Sequence, residues 1–154
     1  MGASRPWPPG MEPEAGAKQV TTSATRFWLS SEGIVYNQNL VEGTVEEAHL
    51  VEGLAALREL TNGQRAVLLA AGGSMTAATR EARAYMAGPQ GRESIGAMVV
   101  VAHSPVARVV MSFFARFTKP PYPTHVCATV EDARVWARGQ VARLHADVAS
   151  APRP

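Results

Sequence analysis

Hydrophobic and polar positions fall into a regular order from Thr25 onward. Arg26-Phe27-Trp28-Leu29-Ser30 and Ile34-Val35-Tyr36-Asn37-Gln38 are β-prone runs on either side of a Ser31-Glu32-Gly33 turn, which predicts a hairpin. Thr44 followed by Glu47 has the spacing of a capping box, and Leu50, Leu54, Leu57 and Leu60 then recur at helical intervals up to Asn62-Gly63, so a helix is predicted over 45–61. The run from Arg65 to Ala71 has no polar alternation after its first residue, as expected of a strand covered on both faces. Gly72-Gly73-Ser74-Met75 reads as a loop, followed by a short helix with Ala82, Tyr85 and Met86 on one side, which Gly88-Pro89 ends. Ala97 to Ala102 is a second buried strand. Ser104-Pro105 then starts a helix whose apolar stripe is Val106, Val109, Val110, Phe113, Phe114 and Phe117. Thr124 to Ala128 is the last strand, and Thr129 with Asp132 caps a final helix carrying Ala133, Trp136, Val141 and Leu144.

The order is ββαβαβαβα. An opening hairpin followed by repeated αβ steps requires a mixed sheet with right-handed crossovers, so the class is α/β, with five strands flanked by helices. Its interior is expected from Val67, Leu69, Val99 and Val101, covered by Leu54, Leu57, Phe113 and Trp136. Residues 1–22 carry scattered Pro and Gly and no periodicity, which predicts a flexible, dispensable Pro/Gly-rich arm ahead of a single domain over 23–150.

Composition changes this picture little. The 154 residues are 46% apolar and 18% charged, which is globular. Fifteen Lys+Arg against thirteen Asp+Glu leave a net charge of +2, no basis for a nucleic-acid partner. No apolar run approaches the ~20 residues of a membrane span, and the first residues lack a secretory pattern, so a cytoplasmic location is expected. Cys127 is the sole cysteine, which excludes an internal disulfide and a cysteine-based metal site. His49, His103, His125 and His145 share no ligand spacing, so neither metal nor other cofactor is expected.

Candidate chemistry gathers at two strand ends. Gly72-Gly73-Ser74, between an apolar strand and a helix, has the outline of a phosphate cradle but neither the P-loop lysine nor G-x-G-x-x-G spacing. Ser74, Thr76 and Thr79 crowd the start of the second helix, where any of them is eligible as its cap. Arg80, Glu81 and Arg83 follow on a charged face that ordinary solvated helices also display. His103-Ser104 lies at the carboxyl end of a strand, where α/β sheets usually host ligands, yet lacks the G-x-S-x-G of a nucleophile elbow. No catalytic set assembles, so no enzyme is expected. Pro120-Pro121-Tyr122-Pro123 is neither helix nor central strand and reads as a rigid structural connector between the third helix and the last strand, with Tyr122 as an exposed binding residue the alternative.

Phe114-Ala115-Arg116-Phe117-Thr118-Lys119-Pro120-Pro121-Tyr122-Pro123-Thr124, with Thr129, Glu131-Asp132-Ala133 and Trp136 downstream, resembles the carboxyl-terminal signature of a small uncharacterised bacterial family of STAS/SEC14-like domains. Thr79-Arg80-Glu81-Ala82-Arg83-Ala84-Tyr85 after a strand carries the same resemblance, which runs over about 26–140. STAS domains, typified by anti-sigma-factor antagonists, share the order read above. The leading reading is a non-enzymatic regulatory or scaffold module that binds a protein partner through the second helix and the Gly72–Thr76 loop, with Gly72, Gly73, Arg80, Arg83 and Tyr122 as partner-binding candidates. The resemblance implies a phosphorylation switch at Thr79, with Ser74 and Thr76 as rivals, although Ala78 stands where the antagonists place an acidic residue. A small-ligand sensor for nucleotide or lipid, using the strand ends at Gly72-Gly73 and His103-Ser104, is the alternative. Homo-oligomer formation stays open.

Overall fold

The alternation in the β-prone runs is realised as one six-stranded sheet in a computed structural model that describes residues 5–71, 75–118 and 120–150. Its strands are β1 (Gln19–Thr21), β2 (Thr25–Leu29), β3 (Ile34–Asn39), β5 (Ala66–Ala71), β7 (Ile95–Val101) and β8 (Thr124–Cys127), and they lie side by side in that order. Pairing is antiparallel from β1 to β3 and parallel from β3 to β8, so the sheet is mixed. Two short strands, β4 (Gly43–Val45) and β6 (Met75–Ala78), form a separate parallel pair. The helices are α1 (Glu47–Leu60), α2 (Arg80–Ala87), α3 (Pro89–Ser94), α4 (Pro105–Thr118) and α5 (Val130–Ser150).

Period-two alternation divides the apolar residues between the two faces of the sheet. Trp28, Ile34, Tyr36, Val67, Leu69, Val99 and Val101 are buried in one cluster with Ala133, Ala137 and Leu144 of α5. Phe27, Val35, Leu68 and Ile95 are buried in the other with Leu54, Leu57 and Leu60 of α1. α5 lies so close to β7 that a Cβ at Gly96 would run into the Leu144 side chain. Asn62 and Gly63, with φ of 54° and 80°, turn the chain out of α1 in the left-handed conformation their sequence predicts. Ser104 Oγ accepts the Ala107 N–H at 3.0 Å and Thr129 Oγ1 accepts the Asp132 N–H at 3.1 Å, so both expected caps are in place.

The first correction concerns the expected flexible arm. Residues 5–22 pack along the α5 side of the sheet and end in its sixth strand, β1, against an expectation of five strands. Met11 is 0% exposed, and Trp7 packs on the same cluster. A segment without periodicity holds its place because side chains of the sheet donate to its carbonyls. Trp28 Nε1 bonds Met11 O at 2.9 Å, Gln38 Nε2 bonds Pro6 O at 2.9 Å, and Arg134 Nη2 bonds Gly10 O. The Arg26 guanidinium sits 4.3 Å from the centre of the Trp7 ring.

Other departures are local. Thr44 lies in β4, and α1 begins two residues later than expected, with Glu46 at the cap and its N–H donating to His49 Nδ1 at 3.0 Å. Met75–Ala78 is a strand rather than loop and helix, because the Gly43–Val45 segment offers it a partner. Proline at the first turn restarts the chain as α3 where a stop was expected. The apolar stripe of α4 is not core at its start, since Val106 is 74% and Val109 70% exposed. The side chains of Val110, Phe113, Phe114 and Phe117 lie outside the described residues. Trp136 is half-buried and stacks on His125 with ring centres 5.5 Å apart.

Candidate functional site

The amino end of α2 is built by the small β4–β6 pair. Val45 stands opposite Ala78, and Thr79 N–H donates to Val45 O at 3.0 Å, which ties the residue before α2 to the strand leading into α1. Thr79 is extended and its Oγ1 accepts the Ala82 N–H at 3.0 Å, so it is the cap that the sequence left among three hydroxyls. Ala82 is fully buried and anchors the helix, leaving Arg80, Glu81, Arg83 and Ala84 on the solvent side. Arg83 folds back so that its Nη1 donates to Ala78 O at 3.0 Å, beside the cap. Among the described residues, Arg80 and Glu81 form no ion pair. Two guanidinium groups and a hydroxyl therefore share the positive end of a helix, a setting in which an anion is stabilised by free amides and dipole together.

The other sequence candidates separate. Thr76 lies in β6, not in the first turn of α2, because its segment pairs with β4. Gly72, Gly73 and Ser74 lie outside the described residues. Tyr122 is corrected from an exposed binding residue to a buried one: it is 8% exposed in the α1-side cluster, and burial raises its hydroxyl to about 12. Its ring is thus unavailable to a partner at the surface. His103 is exposed, with its carbonyl accepting Arg108 Nη1 at 3.4 Å, while the Ser104 hydroxyl is committed as a cap. Cys127 is buried, and burial followed by the Asp132 charge pushes its thiol upward, away from nucleophile behaviour. Among the described residues no group of three or more His, Cys, Asp or Glu could hold a metal ion, and no helix is long and apolar enough to cross a membrane.

One feature has no counterpart in the sequence reading. Between α1 and the sheet lies a partly open cavity of about 150 Å³, walled by Phe27, Leu50, Leu54, Leu57 and Leu68 among others, with Asn37, Asn39 and His49 also on its lining. The signal was the strand pattern itself: Val35, Asn37 and Asn39 take the same face of β3, and the two asparagines follow a valine that faces core.

Comparison with known proteins bears on the fold. The family described as a domain of unknown function (DUF7793) matches residues 27–140, about three quarters of the chain. No curated protein matches it. A crystal structure of an uncharacterized protein from the DUF3478 family with a SpoIIAA-like fold, from Shewanella loihica PV-4, superposes with a TM-score of 0.50 at 9% identity, covering 79% of this chain and 92% of that one. At that identity the likeness is one of fold, and it gives the mixed sheet flanked by helices a SpoIIAA-like, hence STAS-like, architecture.

Proposed function

We propose that this chain, which belongs to the DUF7793 family, is a non-enzymatic regulatory or scaffold module that binds a protein partner through the exposed face of α2. The observation that carries this reading is the amino end of α2, where capping Thr79 is flanked by exposed Arg80 and Arg83. An acidic side chain of a partner, or a phosphate on Thr79 itself, meets there the free amides of the helix and two positive groups. Phosphorylation adds about −1.5 to −2 charges, which a helix amino end tolerates, so the modification acts on binding and leaves the fold standing. Thr79 is the residue we assign to that switch, with Ser74 and Thr76 as its rivals.

The test is quantitative capture from the native cells with wild type, Arg80→Glu/Arg83→Glu, Thr79→Glu and, as control, Arg65→Glu at the far end of β5. Proteins that are retained by wild type and the control, and lost with the two α2 variants, are the expected result. Identical recovery with all four chains, and no phosphopeptide spanning 74–83, would rule the reading out.

A further inference from the structure

The cavity beneath α1 combines an apolar body with polar groups that the protein leaves unused. Its volume, about 150 Å³, is that of an engineered cavity that admits a benzene ring. Leucines of α1 and Phe27 and Leu68 of the sheet provide the apolar wall. A strand position that faces a core ordinarily carries an apolar residue or a polar one whose bonds are satisfied within the protein. Asn37 is half-buried, and among the described residues no protein group bonds its amide, which is left to solvent.

The remaining two polar residues are half-engaged, and in a way that fixes what they offer. Asn39 Oδ1 accepts the Val41 N–H at 2.8 Å, which leaves its amide N–H groups. His49 Nδ1 accepts the Glu46 N–H at 3.0 Å, so the neutral ring carries its proton on Nε2 and is a donor there. Three side chains on one lining thus offer N–H groups, and the matching ligand atom is an acceptor.

We infer that this cavity is a binding site for a small single-ring compound bearing a carbonyl or carboxylate oxygen, which Asn37, Asn39 and His49 hold while the ring fills the space between Phe27, Leu54 and Leu57. The site belongs to α1 and β3 and goes beyond the partner surface on α2. Few convergent polar groups in an otherwise apolar pocket are the usual make-up of small-molecule sites.

The experiment titrates the full chain with benzamide, benzoate and toluene, followed by the backbone amide resonances of Asn37, Asn39, His49 and Gly53. Benzamide or benzoate shifts these signals and binds about tenfold tighter than toluene, the margin of about one net hydrogen bond as the donors exchange water for the ligand oxygen; which of the two is preferred distinguishes a carbonyl from a carboxylate ligand. Asn37→Leu/Asn39→Leu removes that margin, so toluene then binds at least as well. Leu50→Trp, which fills the apolar end, abolishes all three titrations with its melting curve still cooperative. Should that variant fail to fold, the asparagine pair alone decides. Absence of any shift with benzamide and benzoate at millimolar concentration, equal affinity for toluene, or an unchanged preference in the asparagine variant would each overturn the site and leave a packing gap.

Discussion

The two faces of the six-stranded sheet are filled by different means. On the α5 side each large polar side chain is spoken for: Trp28 bonds Met11 O, Tyr36 OH accepts Arg134 Nε at 2.9 Å, and Gln38 receives Arg26 Nε at 2.6 Å while donating to Pro6 O. Trp28 and Tyr36 stack with ring centres 4.2 Å apart, and Met11 closes the cluster. On the α1 side the same strand presents Asn37 and Asn39 to a cavity. Neighbouring residues of β3 thus serve opposite ends. One face is completed and gives stability; the other is left incomplete, which costs stability and keeps room for a ligand.

The largest test of this contrast removes residues 1–17. Their loss exposes Met11's site together with Trp28 and Tyr36, and a fall of about 4 kcal/mol, or ~10 °C in melting temperature, is expected. An unchanged melting temperature would return these residues to the status of a dispensable arm. Met11→Ala follows, at ~2–4 kcal/mol in urea unfolding, because a fully buried methionine leaves a cavity behind.

Adjacent substitutions on β3 sharpen the comparison. Tyr36→Phe gives up the bond to Arg134 and destabilises by ~1 kcal/mol, whereas Asn37→Leu places apolar surface in an apolar cavity and stabilises by ~0.5–1 kcal/mol. Urea midpoints at a common slope measure both. Loss of stability in both variants would mean that the α1 side is as complete as the α5 side.

The smallest effect belongs to the rim of the α5 side, where Arg138 Nε lies 2.6 Å from Glu32. The hydrogen bond from Arg138 holds the Glu32 carboxyl below its usual range. A carboxyl lowered in the folded state stabilises above its unfolded pKa, and that contribution fades as pH falls through the folded value. The gap in melting temperature between wild type and Glu32→Gln is therefore present at pH 7 and shrinks as the pH is lowered through the folded carboxyl's range. Both side chains are half-exposed, so the gap itself is small.

Strands β2, β3, β5, β7 and β8, the hairpin turn and the caps of α4 and α5 are legible in the sequence because each is decided within a few residues: alternation, Gly33 in the turn, Ser104 and Thr129 ahead of their helices. What escapes is decided at long range. Met75-Thr76-Ala77-Ala78 becomes a strand only because Gly43-Thr44-Val45 lies alongside, and the same pairing removes Thr44 from the cap position its spacing suggests. The segment containing Trp7 and Met11 has no period at all, and nothing local tells that carbonyls of residues 6, 10 and 11 will receive bonds from residues 38, 134 and 28. The candidate site was legible in part. Thr79, Arg80 and Arg83 follow from helix-start rules, while the prolines around Tyr122 say connector and leave open whether its ring is exposed or, as here, buried.

The bond between Arg134 and Gly10 joins positions 124 apart in the chain. On the ribosome residues 5–17 are made well before α5, yet their docking surface includes Val130, Ala133 and Arg134 of that helix. Contacts of such separation close late and slowly. Residues 130–134 must therefore be made before residues 5–17 find their seat, and until then Trp28, Tyr36 and Met11 stand uncovered. The nascent chain passes through an aggregation-prone interval with residues 5–17 already made and waiting for α5.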